Sequence, residues 1–158
     1  MEVRDAVVGD APAACLVLRQ SIAELCAADH RGDPTILAQW LANKTPEHVG
    51  AWIARPDLSL LVAVEAGAIL AAGMVTDTGQ TTLNYVSPDA RFRGVTKAML
   101  AALEVRAAER GATTCRLKST QTAHRFYLSA GYADVGSPIE KFGVPGYPMT
   151  KALTPPST

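Results

Sequence analysis

Val86-Ser87-Pro88-Asp89-Ala90-Arg91-Phe92-Arg93-Gly94-Val95-Thr96-Lys97-Ala98-Met99-Leu100 is the stretch from which the rest of the chain can be ordered. It leaves a strand-like run, breaks at Ser87-Pro88, turns basic at Arg91 and Arg93, and enters a helical pattern at Gly94. Val95, Ala98, Met99, Ala102 and Leu103 then share one face, and Gly111 supplies the stop, so a helix is expected over 94–110. The first turn of such a helix offers backbone N–H groups without internal partners and the positive end of the macrodipole. Gly94 lets a ligand come close to the backbone, while Arg91, Arg93 and Lys97 add charge. This arrangement suits a phosphate or pyrophosphate; the plain alternative is a solvated basic loop before an ordinary helix. The segment is neither G-x-G-x-x-G nor a Walker P-loop, so dinucleotide and nucleoside-triphosphate binding are not indicated.

Upstream, 58–66 and 68–77 read as two strands joined at Gly67 in a hairpin, and 80–87 as a third. A first strand is expected over 2–7. Asp10 followed by Pro12 opens a helix that runs to about Cys26. Asp29-His30-Arg31-Gly32 is a polar break. Asp33-Pro34 and Thr45-Pro46 repeat the cap-plus-proline signal, opening helices that carry Ile36, Leu37, Trp40 and Leu41, then Val49, Trp52 and Ile53. Downstream, a strand over 113–118, a helix over 120–130 and strands over 132–135 and 147–153 follow, the last two separated by a Gly- and Pro-rich loop. The expectation is a single α/β (α+β) domain over 2–153, with a mixed, mostly antiparallel central sheet flanked by helices. The tail 154–158 reads as disordered.

The chain has 158 residues, 48% of them hydrophobic, which is enough for one domain with a core. Fifteen basic side chains balance fifteen acidic ones, which argues against nucleic acid as a partner. Glu2, Arg4, Asp5 and Asp10 interrupt any signal sequence at the start. The most apolar stretch, 58–75, is cut by Glu65, Gly67 and Gly73, so no membrane association is expected either. Three scattered cysteines do not form a disulfide framework, and Cys15, Cys26 and Cys115 read as buried thiols in a cytoplasmic protein. No metal site is indicated.

The 91–96 segment resembles the pyrophosphate loop of the GCN5-related N-acetyltransferase (GNAT) superfamily, Gln/Arg-x-x-Gly-x-Gly/Ala. Arg91, Gly94 and Thr96 stand at its fixed positions, with threonine replacing the small residue. A second segment, Thr120-Gln121-Thr122-Ala123-His124-Arg125-Phe126-Tyr127-Leu128-Ser129-Ala130-Gly131-Tyr132, resembles the family's Asn-x-x-Ala-x-x-Phe-Tyr-x-x-x-Gly-Phe. Here Thr120 replaces the asparagine, so a contact carried by that amide is lost or changed. Two motifs in the right order are far more specific than either alone.

The resemblance implies a GNAT-like fold, acetyl-CoA as co-substrate and an amine as acceptor. Tyr85, Val86, Arg91, Phe92, Arg93, Gly94, Val95, Thr96, Lys97, Thr120 and His124 would then hold CoA. Tyr127 would act as the acid that protonates the departing thiolate, a role for which a phenol of pKa near ~10 is suited at neutral pH. The base that frees the acceptor amine is not legible. Many family members carry a glutamate on the strand before the loop, whereas 80–86 has no carboxylate. Glu24, Asp29, His30 and Asp33 are the candidates, with ordered water as the alternative. The acceptor is expected between Asp29, His30, Asn84 and Phe142, the last in a 137–147 loop with the composition of a mobile lid. A non-catalytic acyl-CoA-binding module on the same fold and a ligand-free structural domain are the competing readings, and a homodimer stays open.

Overall fold

A computed structural model describes residues 1–154. Strand β1 (Glu2–Asp5) leads through a 3-10 turn into α1 (Ala11–Leu25). Three shorter helices follow: α2 (Ala27–His30), α3 (Pro34–Leu41) and α4 (Pro46–Ala54). Then come β2 (Leu58–Glu65), β3 (Ala68–Thr76), β4 (Thr81–Val86), α5 (Val95–Glu109), β5 (Thr114–Ser119) and α6 (His124–Ser129). The described chain closes with β6 (Ala133–Asp134), β7 (Ile139–Lys141) and β8 (Val144–Ala152). The expected disordered tail, 154–158, lies outside the described residues apart from Thr154.

The local signals act as their chemistry requires at two helix starts. Asp33 accepts hydrogen bonds from the amides of Thr35 and Ile36 at 2.8 and 3.2 Å, and the Thr45 hydroxyl accepts from His48 N at 3.1 Å. Asp10 behaves differently from its expected role as the cap of α1. Its carboxylate accepts from Val7 N and pairs with Arg4 at 2.8 Å, so it ties the strand end to the turn instead.

The sheet comes in two parts. β1-β2-β3-β4 are antiparallel neighbours, and β5-β8-β6 form a second antiparallel group, with β7 added to β8. A parallel bridge, Gln80 against Arg116, joins them where β4 and β5 begin. Beyond that bridge the two strands are not paired, and a gap opens toward their C-terminal ends. The fold is thus mixed α/β with mostly antiparallel strands, as expected.

β2 and β3 are apolar on both faces because both faces are covered. Leu61, Ala63, Ala71 and Val75 pack on Met99, Leu100 and Leu103 of α5. Leu60, Val62, Ala72 and Met74 pack on Leu18 of α1 and Val49 of α4. Gly73 is where α5 comes closest: a Cβ there would lie 2.8 Å from Leu103 Cδ1. Truncating Leu103 to alanine should cost about 2–5 kcal/mol. The thiols of Cys15, Cys26 and Cys115 are all buried and free, as expected, with Cys15 and Cys26 in different clusters.

Two expected boundaries need correction. The helix expected over 120–130 begins only at His124; 121–123 form a turn whose amides are held by side chains. Asp29 accepts from Gln121 N and Thr122 N, and Thr120 Oγ1 accepts from Ala123 N. The 137–147 loop is instead a hairpin: β7 pairs with the start of β8 through Lys141↔Val144 and Ile139↔Gly146. Phe142 and Gly143, at φ 41° and 81°, form its two-residue turn, the same device as Ala66 and Gly67 between β2 and β3. The strand expected over 147–153 begins earlier, at Val144, and Pro145 hides that start from a reading of the sequence.

Candidate active site

A cleft of about 420 Å³ opens where β4 and β5 part. Its floor is Leu83, Asn84, Tyr85 and Val86 of β4; Phe126 and Tyr127 of α6 stand over it. Its mouth is formed by Arg91, Phe92, Gly94, Thr96 and Lys97, and the end of α1 contributes Ser21, Leu25 and Cys26. A second chamber of about 310 Å³ lies beside it, bounded by Trp40, Asn43, Lys44 and the β7–β8 hairpin. Thr82, Tyr85, Lys118 and Thr120 line both, so the two chambers meet across the gap.

The mouth has the properties of an anion site. Gly94 takes φ +77° just before α5, a conformation L side chains rarely adopt, and the space where a Cβ would sit is open. The amides of Val95, Thr96 and Lys97 have no carbonyl four residues back in the helix to bond. Arg91 lies 4.2 Å over the Phe92 ring, which is 89% exposed.

Tyr127 is the reactive-looking group within the cleft. Its ring packs edge-on between Phe126 and Tyr132, at centroid distances of 5.2 and 5.5 Å. Asn84 Nδ2 donates to its oxygen at 3.0 Å, which leaves the phenol proton free to point elsewhere. Burial pushes the phenol up to about 12, against a smaller downward pull from Asn84. Tyr85, which accepts from Trp40 Nε1 at 3.3 Å, is also raised by burial. Cys26 is pushed up to about 12 by burial first and Asp29 second, so this thiol is a lining group and no nucleophile.

Most of the sequence-derived candidates converge here: Asn84, Tyr85, Val86, Arg91, Phe92, Gly94, Thr96, Lys97, Thr120 and Tyr127 all line the first chamber. Phe142 lines the second. The others face elsewhere. Val95 is 2% exposed in the core, and Arg93 pairs with Glu65 at 2.6 Å. His124 bonds Asp134 at 2.8 Å and lies against Tyr147.

Asp29 and His30 do not form an open hinge. Asp29 is 0% exposed and its carboxylate is taken by Gln121 N, Thr122 N and the Thr122 hydroxyl. His30 Nε2 lies 3.1 Å from Ala23 O while Nδ1 accepts from Gly32 N, so both ring nitrogens are occupied. Asp33 is spent on its helix cap, and neither it nor Glu24 lines either chamber. Lys44, Lys118 and Lys141 were not singled out from the sequence; they lie after the end of α3, on β5 and on β7, and no local spacing links them.

A sheet split between two parallel neighbours, a helix start beside the cleft and a tyrosine lining it match the arrangement that the sequence motifs imply. The chain belongs to the acetyltransferase (GNAT) domain family, which matches residues 26–153. No curated protein matches the sequence. Among solved structures it is similar to a GCN5-related N-acetyltransferase from Rhodopseudomonas palustris, with TM-score 0.85, 23% identity, and 96% of this chain and 95% of that one covered. PaiA N-acetyltransferase from Thermoplasma acidophilum, in complex with coenzyme A, gives TM-score 0.80 at 17% identity, covering 96% and 98%. YncA, a putative acetyltransferase from Salmonella typhimurium with acetyl-CoA, gives 0.74 at 19%, covering 100% and 96%. At these identities the likeness is one of fold.

Proposed function

We propose that the chain is an acyl-CoA-dependent N-acyltransferase that moves an acetyl group from acetyl-CoA directly to an amine. The observation that carries this reading is the Tyr127 hydroxyl, held by Asn84 inside a cleft whose mouth is the start of α5. The residues fit a CoA thioester: the open space at Gly94, the α5 amides, Arg91 and Lys97 suit a pyrophosphate, and the gap between β4 and β5 suits an extended arm. Acetyl-CoA supplies an activated carbonyl and a thiolate leaving group.

The chain's own groups do the rest. The edge of β4 that faces away from β3 offers backbone N–H groups to the thioester oxygen. The acceptor nitrogen, entering from the second chamber, forms a bond to the carbonyl carbon as the C–S bond breaks. Tyr127 gives its proton to the departing sulfur and regains one from the acceptor nitrogen through solvent. No carboxylate lines either chamber among the described residues, so the acceptor must arrive as the free amine or lose its proton to water.

That same feature favours a second reading, a module that binds acyl-CoA without turning it over. A thiol-release assay with acetyl-CoA and a broad set of amines separates the two. Amine-dependent thiol release supports the enzyme; tight CoA binding with no amine-dependent release supports the module.

A further inference from the structure

The second chamber is basic. Lys44, Lys118 and Lys141 line it, and no aspartate or glutamate does among the described residues. None of the three has a carboxylate within ion-pair distance among those residues. Strand alternation places Ile139 and Lys141 of β7 on the chamber side and Glu140 on the other. The nearby acids are committed: Asp29 to the 121–122 turn and Asp33 to the α3 cap.

Lys44 is the least compensated. It is 8% exposed, and its ammonium has only neutral acceptors, Asn43 Oδ1 at 2.7 Å and Trp40 O at 3.5 Å. Burial, with the Lys141 charge adding to it, pulls it down to about 8. A buried cation without an anion is expensive, and an incoming oxyanion relieves that cost.

We infer that the second chamber selects small amines that carry an oxyanion, a carboxylate or a phosphate, on the same molecule. The inference rests on the N-acyltransferase reading and names its acceptor class. The chamber's volume of about 310 Å³ suits a small molecule. The same lysines repel an acceptor ammonium and so favour the free amine, which answers the absence of a basic carboxylate. Polycationic amines are excluded by the same field.

The test compares thiol release for matched pairs. Leucine, phenylalanine and methionine are set against the amines left when their carboxylate is removed, and phosphoethanolamine against ethanolamine. The anionic member of at least one pair should have kcat/KM greater by about 10-fold or more. The first three pairs report a carboxylate and the fourth a phosphate. Lys141→Met and Lys118→Met should each shrink that ratio by raising KM for the anionic member. Equal or better turnover of the partners that lack the oxyanion in every pair overturns the inference while leaving the acyltransferase reading intact. Release with no amine at all overturns both. A preference unchanged in both lysine variants also overturns it, since the selection would then arise elsewhere.

Discussion

Asn84 and Tyr127, 43 positions apart in the chain, meet across the cleft with the amide donating to the phenol oxygen at 3.0 Å. The contact joins β4 to α6 across the cleft that opens where β4 and β5 part. It fixes which way the phenol proton points, because the oxygen accepts from Asn84 and its own hydrogen must find another acceptor.

Asn84→Ala should therefore lower kcat by about 3- to 10-fold and leave CoA affinity unchanged. The pH profile carries the diagnostic. Asn84 lowers the phenol pKa, so its loss moves that pKa up and shifts the alkaline fall in kcat to higher pH. A merely structural role would not move that limb.

Gly94→Val should weaken CoA binding by about 10-fold or more in calorimetry, because a side chain at φ +77° is strained and would project into the space left for the ligand. Lys97→Ala should weaken it less, and more at low salt than at high. Arg93→Ala should weaken it least, since Arg93 is paired with Glu65. Unchanged affinity in Gly94→Val removes the 91–97 segment as the site.

Asp29→Ala should destabilise the fold by about 2–3 kcal/mol in urea unfolding, since the amides of Gln121 and Thr122 lose a buried acceptor. The turn it pins leads into α6, so kcat should fall with the position of Tyr127 while the acceptor KM moves little.

Much of the first chamber's lining was legible in the sequence because its signals are local. The 91–97 loop, the helix after it and the 120–132 segment each carry their meaning within a few residues, and the cap at Asp33 does likewise. What was not legible depends on contacts between distant parts. Asp29 meets Gln121 over 92 positions, and no spacing rule connects them. The β7–β8 hairpin was hidden by Pro145, since a proline ordinarily argues against a strand. The lysines of the second chamber come from the turn after α3, from β5 and from β7, so their convergence is purely tertiary.

Lys44→Met should raise the Tm at pH 7 by about 2–4 °C, because it removes a desolvated charge. The sign follows from its depressed pKa. Below about 8, Lys44 is charged both folded and unfolded, so the whole desolvation cost is present. Between about 8 and the usual lysine value the folded state gives up its proton first, and wild-type stability recovers with rising pH. The advantage of Lys44→Met should thus shrink as the pH approaches 10. A gain that stays constant across that range contradicts the charge explanation.

The most direct test of the central claim is thiol release from acetyl-CoA by Tyr127→Phe at saturating amine, with CoA affinity measured alongside. Phenylalanine keeps the ring that packs between Phe126 and Tyr132 and removes the hydroxyl, which is both the proton donor and the acceptor of the Asn84 bond. The account predicts kcat lower on the order of 10²-fold with CoA affinity nearly unchanged. Wild-type kcat in Tyr127→Phe would contradict it and leave the tyrosine as a packing residue.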